Sequence, residues 1–284
     1  MILGYNTNGF PFHNPLDAID ILGETGFKSL AITIDHQWLN PFSDSLDQEI
    51  EAVQEKLDAW SMSSVIETGA RFLLDPRHKH QPTLLSIEES RREIRIDFLK
   101  RCIGIADKLG SDCVSLWSGS ADDFCDSQTS LDRLSESLRP VLDCAGEHGI
   151  PIGFEPEPGM FIDTTGSFER LCRWVESDFL KLTMDIGHLF CLGELPIVGF
   201  IQRFQEHIVN IHIEDMNPGV HDHLAFGEGS IEFNPIIKAL YDVEYSGGLH
   251  VELSRHGHNA VETARESFAF LSSLMYKHSK LPRD

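Results

Sequence analysis

Apolar and polar positions along this chain follow two periods, and the two periods take turns. Ile2 to Tyr5 is a short apolar run; Asn14 then reads as a helix N-cap ahead of Pro15, and Leu16, Ile19 and Leu22 recur at helical spacing up to Gly26. Lys28 to Ile34 alternates and is β-branched, which predicts a second strand, and a helical stretch follows from Leu46 to Trp60. Ser64 to Glu67 predicts a third strand. A long polar loop, Thr68 to Thr83, separates it from a helix at Ile87 to Leu109, whose Ile94, Phe98, Cys102, Ile105 and Leu109 share a face and whose stop is Gly110. Further strands are predicted at Cys113 to Trp117, Ile150 to Glu155, Leu180 to Asp185, Ile208 to Ile213 and Leu249 to Glu252. Helical patterns at Leu131 to His148, Ser167 to Val175 and Pro196 to Phe204 stand between them, with a last helix from about Ala260 to Tyr276 and a frayed tail at Lys280 to Asp284.

Eight strands alternating with helices predict an α/β fold, a single (β/α)₈ TIM barrel spanning residues 1–284 as one domain; a barrel of about 250 residues fits the 284 available. No Gly-x-Gly-x-x-Gly follows the first strand, which argues against a doubly wound dinucleotide-binding sheet. The formal net charge of −22 disfavours nucleic acid and anionic membrane surfaces as partners, because both require clustered Lys and Arg. Cys102, Cys113, Cys125, Cys144, Cys172 and Cys191 show no Cys-x-x-Cys spacing and sit mostly within apolar patterns, as buried thiols do in a reducing compartment. No basic leader and no stretch of about eighteen apolar residues is present. The expectation is a soluble, cytoplasmic protein.

The stretch Lys-Leu-Thr-Met-Asp-Ile-Gly-His at 181–188 is an apolar strand that ends on Asp185 and turns toward His188. Three other strands end on comparable groups: Glu155, His212 and Glu252. In a parallel barrel the C-terminal strand ends share one face, so these four residues converge there. Three carboxylates and one imidazole repel one another unless a cation lies among them. Such a donor set suits one divalent ion, Mn²⁺ or Mg²⁺, with Co²⁺ or Zn²⁺ also admissible, better than a thiolate-seeking metal.

Phe-Glu-Pro-Glu-Pro-Gly at 154–159, Met-Asp-Ile-Gly-His at 184–188, Ile-His-Ile-Glu-Asp at 211–215, Gly-Glu-Gly at 227–229 and Val-Glu-Leu at 251–253 together resemble the xylose-isomerase-like superfamily of sugar and sugar-phosphate isomerases and epimerases. The resemblance to its ketose 3-epimerase branch implies Glu155, Asp185, His212 and Glu252 as ligands of one metal. It also implies Glu155 and Glu252 as the pair that exchanges a proton with the carbon beside a ketone, through a cis-enediolate. The same ligand set serves a 1,2-isomerase, and a dehydratase or other lyase acting on a keto-sugar or inosose-like substrate.

Other residues are expected to contact substrate. The resemblance places His188 against a substrate oxygen or a further metal, and His221 and His223, in the loop after the seventh strand, against substrate or as extra ligands. Glu157 is either an acceptor that orients a ligand or a solvated carboxylate. Trp117 offers an aromatic wall to a sugar face or fills the barrel top, and Arg71 binds a carboxylate, phosphate or hydroxyl or is a plain lid residue. Asp35 and His36 are weaker candidates of the same kind. A small-molecule carbohydrate is the expected partner, with a homo-oligomer by analogy. The same barrel carries endonuclease IV type phosphodiesterases, but that class takes further histidines from the third and fourth strands. Here those strands end Ile66-Glu67-Thr68 and Leu116-Trp117-Ser118. A catalytically silent binding barrel remains the contrasting class.

Overall fold

In the computed structural model, which describes residues 1–121 and 126–279, eight parallel strands close into a barrel. They are β1 (Ile2–Asn6), β2 (Ser29–Thr33), β3 (Ser63–Glu67), β4 (Val114–Leu116), β5 (Ile152–Phe154), β6 (Leu180–Asp185), β7 (Ile208–Ile213) and, after two hairpin strands, β10 (Gly248–Val251). Each pairs with its predecessor, and β10 closes the ring between β7 and β1. The outer helices are α1 (Pro15–Thr25), α2 (Leu46–Trp60), α3 (Glu89–Leu109), α4 (Ser127–His148), α5 (Thr165–Val175), α6 (Ile186–Cys191), α7 (Ile197–Phe204), α8 (Phe233–Asp242) and α9 (Ala260–Ser279). The predicted strands all form. Cys125 and the tail from Lys280 to Asp284 lie outside the described residues; the other five cysteines are free thiols.

Local chemistry sets the helix ends. The Asn14 side chain accepts from Leu16 N with Pro15 at the first helical position, and α1 ends on Gly26 at φ 115°, where a Cβ would meet the Phe268 ring at 2.5 Å. Asp126 caps Gln128 and Thr129, so α4 starts four residues before the expected Leu131. Between sheet and helices, Leu22, Ile32, Phe98, Leu138, Phe154 and Ile237 are wholly buried and join one apolar core.

Three elements depart from the sequence reading. Asp185 leads straight into the short helix α6, where its side chain caps the free N–H of His188. An antiparallel hairpin, β8 (Asp215–Asn217) and β9 (Val220–Leu224), rises after β7. Helix α8 supplies the crossover to β10; Phe233, Ile236, Ile237 and Leu240 bury its inner stripe, and Pro235 sits in the first turn, where no intrahelical N–H is required. The segment reads as loop in sequence because Gly227, Gly229 and Pro235 punctuate it. Among the described residues no helix is long and apolar enough to cross a membrane.

Candidate metal centre

Inward-facing positions of the strands stack polar groups toward the C-terminal end of the barrel. The lowest are His250 of β10, Ser29 of β2 and Asn210 of β7. His250 Nδ1 lies 2.8 Å from Asn210 Oδ1 and its Nε2 2.9 Å from Ser29 Oγ. The Asn210 oxygen accepts only, so Nδ1 carries the proton and Nε2 accepts from the serine. Burial pushes His250 down to about 3, which keeps the ring neutral. Asn210 Nδ2 then donates to Glu67 Oε1 at 3.0 Å, and the same oxygen lies 2.8 Å from His212 Nε2. This fixes the orientation of His212: Nε2–H is committed to Glu67, and Nδ1 faces the strand-end carboxylates.

Around that nitrogen the four expected residues come together. His212 Nδ1 is 2.9 Å from Glu155 Oε1, 3.1 Å from Glu252 Oε2 and 4.0 Å from Asp185 Oδ2. One donor atom from each of the four lies within 4.8 Å of the others. Asp185 divides its work: Oδ1 accepts from the backbone N–H of His188 at 2.8 Å, while buried Oδ2 has no hydrogen-bond partner. Asn8 Nδ2 donates to Glu252 Oε1 at 2.7 Å and leaves its own buried Oδ1 unpartnered.

The electrostatics are those of crowded acids around one positive ring. Burial lowers the affinity of His212 for a proton, but Glu67, Glu155 and Glu252 outweigh it and hold the imidazolium well above its ordinary range. Burial raises Glu155 to about 8 despite His212. Burial opposes ionisation of Glu252 and Asp185 as well, yet His212 draws Glu252, and His188 draws Asp185, below the usual carboxylate range. Burial, with the neighbouring carboxylates, pushes Glu157 and Glu214 well above it. An unpartnered buried carboxylate oxygen, an imidazole with its outer nitrogen already engaged and two further carboxylates form a hard, oxygen-rich donor set that fits a divalent cation.

The remaining predicted residues divide by position. His188, His221 and His223 converge beside the four: His188 Nε2 is 3.0 Å from His221 Nε2, and the three rings form a second group of potential donors. Burial lowers His188 to about 4 and also lowers His221, so these rings are neutral acceptors or donors at pH 7. Glu157 lies 3.8 Å from His188 and 3.9 Å from His221. Trp117, Arg71, Glu157, His221 and His223 line a cavity of about 240 Å³ whose floor holds Glu155, His212 and Glu252. His188 is buried beneath them. Asp35 and His36 do not reach that cavity; they line a neighbouring one of about 180 Å³ beyond Arg71.

Two residues escape the sequence reading. In the sequence Glu67 is only the last residue of a predicted strand, because its partner His212 lies across the barrel. Glu214 is fully buried at the end of β7 with both carboxylate oxygens unpartnered, and His223 Nδ1 lies 3.9 Å from it. Its signal was present: Asn210, His212 and Glu214 recur at period two and therefore share the inward face.

The profile of the xylose isomerase-like TIM barrel family matches residues 19–274. An inosose dehydratase of Lacticaseibacillus casei is 32% identical over 138 residues, a segment covering 43% of this chain and 46% of that protein. The chain thus aligns with about half the length of that relative. Among solved structures, a D-tagatose 3-epimerase-like protein superposes with a TM-score of 0.82 at 20% identity, covering 99% of both chains. The IOLI protein with a binding zinc atom superposes with a TM-score of 0.78 at 17% identity, covering 99% of this chain and 100% of that one. The two structures share the fold over 99% of this chain, and the profile fixes the family. This chain belongs to the xylose isomerase-like TIM barrel family.

Proposed function

We propose that the protein is a divalent-metal-dependent sugar or sugar-phosphate isomerase or epimerase that moves a proton at the carbon beside a ketone. The observation that carries this reading is the convergence of Glu155, Asp185, His212 and Glu252: three of them, Glu155, His212 and Glu252, reach the floor of a cavity of about 240 Å³, while buried Asp185 keeps Oδ2 unpartnered. These four residues would hold the ion, Mn²⁺ or Mg²⁺ by donor type, with Co²⁺ or Zn²⁺ as substitutes. When bound, such an ion polarises a ketone and the hydroxyl next to it and so acidifies the C–H bond of the hydroxyl-bearing carbon.

The chain's own groups then account for the proton. Glu155 and Glu252 approach the same His212 nitrogen from different strands, so two carboxylates flank one position. One carboxylate takes the proton, and the C–H electron pair forms the enediolate double bond as the carbonyl π pair moves onto its oxygen. The other carboxyl, protonated beforehand, gives its proton to carbon from the opposite face as the double bond reverts to C=O. Return to the same carbon gives an epimer; return to the former carbonyl carbon gives a 1,2-isomer. Trp117 supplies an apolar wall for the C–H face of a sugar, and His80 fixes its tautomer by donating from Nδ1 to Gly69 O at 2.7 Å, leaving Nε2 to accept from a hydroxyl.

A second reading, a dehydratase, is favoured by the 32% identity to an inosose dehydratase. It shares the first proton removal and differs in expelling a β-hydroxyl, for which the cluster of His188, His221, His223 and Glu157 offers a proton. Proton NMR in D₂O of the Mg²⁺-loaded protein with ketoses, ketose phosphates, keto-acids and inososes separates them. Deuterium entering the carbon beside the ketone with an epimer or aldose appearing supports the first reading; loss of water supports the second. Metal bound with no exchange across the panel contradicts both.

A further inference from the structure

Among the described residues, three of the cavity's four acids stand at strand ends, with Glu157 in the loop after β5, and its cations stand on the rim. Glu67, Glu155 and Glu252 stand at strand ends, whereas Arg71 and Lys79 reach the cavity from the loop after β3, and Arg255 from the segment after β10. Lys79 forms no ion pair among the described residues. Arg71 is held at long range, with Nη1 3.5 Å from Asp35 Oδ2 and Nη2 3.3 Å from Asn8 O, so most of its N–H donors are uncommitted. Arg255 pairs with Asp222 and reaches His221 O at 3.4 Å.

Beneath the loop lies a fourth cation. Arg95 of α3 is buried, and its guanidinium donates to Pro82 O at 2.7 Å, Thr68 O at 3.1 Å and His80 O at 2.7 Å. It lies 5.2 Å from the Trp117 ring and 5.4 Å from the Phe98 ring. Burial lowers it only to about 10, so it stays charged at neutral pH. None of its described partners is a carboxylate, although the chain carries 45 acidic residues. A buried, unpaired charge is costly, and a rim of incompletely paired cations around a cavity serves a ligand that brings the missing negative charge. Sugar hydroxyls alone are bound as well by neutral donors.

We propose that the substrate carries an oxyanion, a phosphate or a carboxylate, at the end away from the reacting carbon, and that Arg71, Lys79 and Arg255 receive it while Arg95 positions the loop bearing two of them. The placement of the reacting carbon rests on the proton-transfer reading; the oxyanion subsite itself does not.

The test is equilibrium binding of D-fructose, D-fructose 6-phosphate and 2-keto-D-gluconate to the Mg²⁺-loaded full chain by ligand-observed NMR, with deuterium exchange followed in the same samples. At least one anion is expected to bind roughly tenfold or more tighter than fructose at low salt, with an advantage that shrinks as ionic strength rises. The better of the two tells phosphate from carboxylate. In the Arg71→Gln/Lys79→Gln variant the preference should fall to under about threefold at unchanged metal content. Arg95→Met should weaken anion binding and Arg95→Lys restore part of it; Lys79→Gln alone, at an exposed position, still reads the subsite if the Arg95 variants fail to fold. Equal affinity for neutral and anionic ligands, no binding of either anion, or a preference that survives in the double variant overturns the proposal. Preferential anion binding without any C–H exchange leaves the subsite standing and counts against the proton-transfer reading.

Discussion

Glu155 and Glu252 each lie about one hydrogen bond from His212 Nδ1, and each is asked both to hold an ion and to carry a proton. An amide keeps an oxygen donor but accepts no proton. Glu155→Gln and Glu252→Gln are therefore expected to lower C–H exchange by roughly 10²–10⁴-fold; full exchange in either variant removes that residue from the chemistry. Glu67 acts through His212 instead. Its loss frees the imidazole to turn, so Glu67→Ala should weaken metal affinity by roughly 10–100-fold, measured by competition with a chelator, while Glu67→Gln, which keeps an acceptor oxygen, should weaken it less. The four strand-end residues were legible in the sequence because each interrupts an apolar run with a charge or an imidazole. Glu67 was not, because its meaning lies in a partner 145 residues away that only barrel closure brings to 2.8 Å.

At the scale of elements, β7 and the residue after it show what period two reveals: one inward face carries Asn210, which hydrogen-bonds Glu67, His212, whose Nδ1 faces the strand-end carboxylates, and Glu214, whose carboxylate is unpartnered. The hairpin was illegible for the opposite reason. Val220 is exposed and His221 to Leu224 are all half-buried, with three polar residues between Val220 and Leu224, so the segment leaves no apolar stripe to read. Helix α6 is short because its task is local: it turns the chain so that Asp185 caps it and His188 points back. Gly187 lies within it where a Cβ would meet Glu214 Oε1 at 2.0 Å and Met216 Cε at 2.5 Å. Replacing a helical glycine by alanine ordinarily gains about 0.5–1 kcal/mol. Here overpacking of about 1–3 kcal/mol outweighs it. Gly187→Ala should lower the midpoint of thermal unfolding, and a raised midpoint would show that the contact is relieved at no cost.

For the whole molecule, the barrel interior stores polar groups where many barrels store aliphatic ones, which couples stability to pH. His250 is neutral in the fold at about 3 and titrates near 6.5 when unfolded, so between these values the unfolded chain binds the extra proton. The stability it contributes is complete above 6.5 and is lost as pH falls through that window. From pH 7 to 5 this single ring should remove about 2 kcal/mol from the unfolding free energy, in chelator, by urea titration. In His250→Gln the pH dependence should be weaker by that amount; an unchanged slope would place the acid sensitivity elsewhere. The eight-strand barrel was legible because strands and helices alternate with different periods over nearly the whole chain. The missed α8 carries a buried stripe of Phe233, Ile236, Ile237 and Leu240, but it is only ten residues long and follows Gly227 and Gly229 with Pro235 inside its first turn, which masks the period.

Metal binding tests most directly the proposed cation site at the four strand ends. Calorimetric titration of metal-free protein with Mn²⁺ is expected to give one ion per chain at this site, with affinity lost in Asp185→Asn and in His212→Ala while the fold, followed by circular dichroism, persists. Unchanged stoichiometry and affinity in both variants would contradict the site.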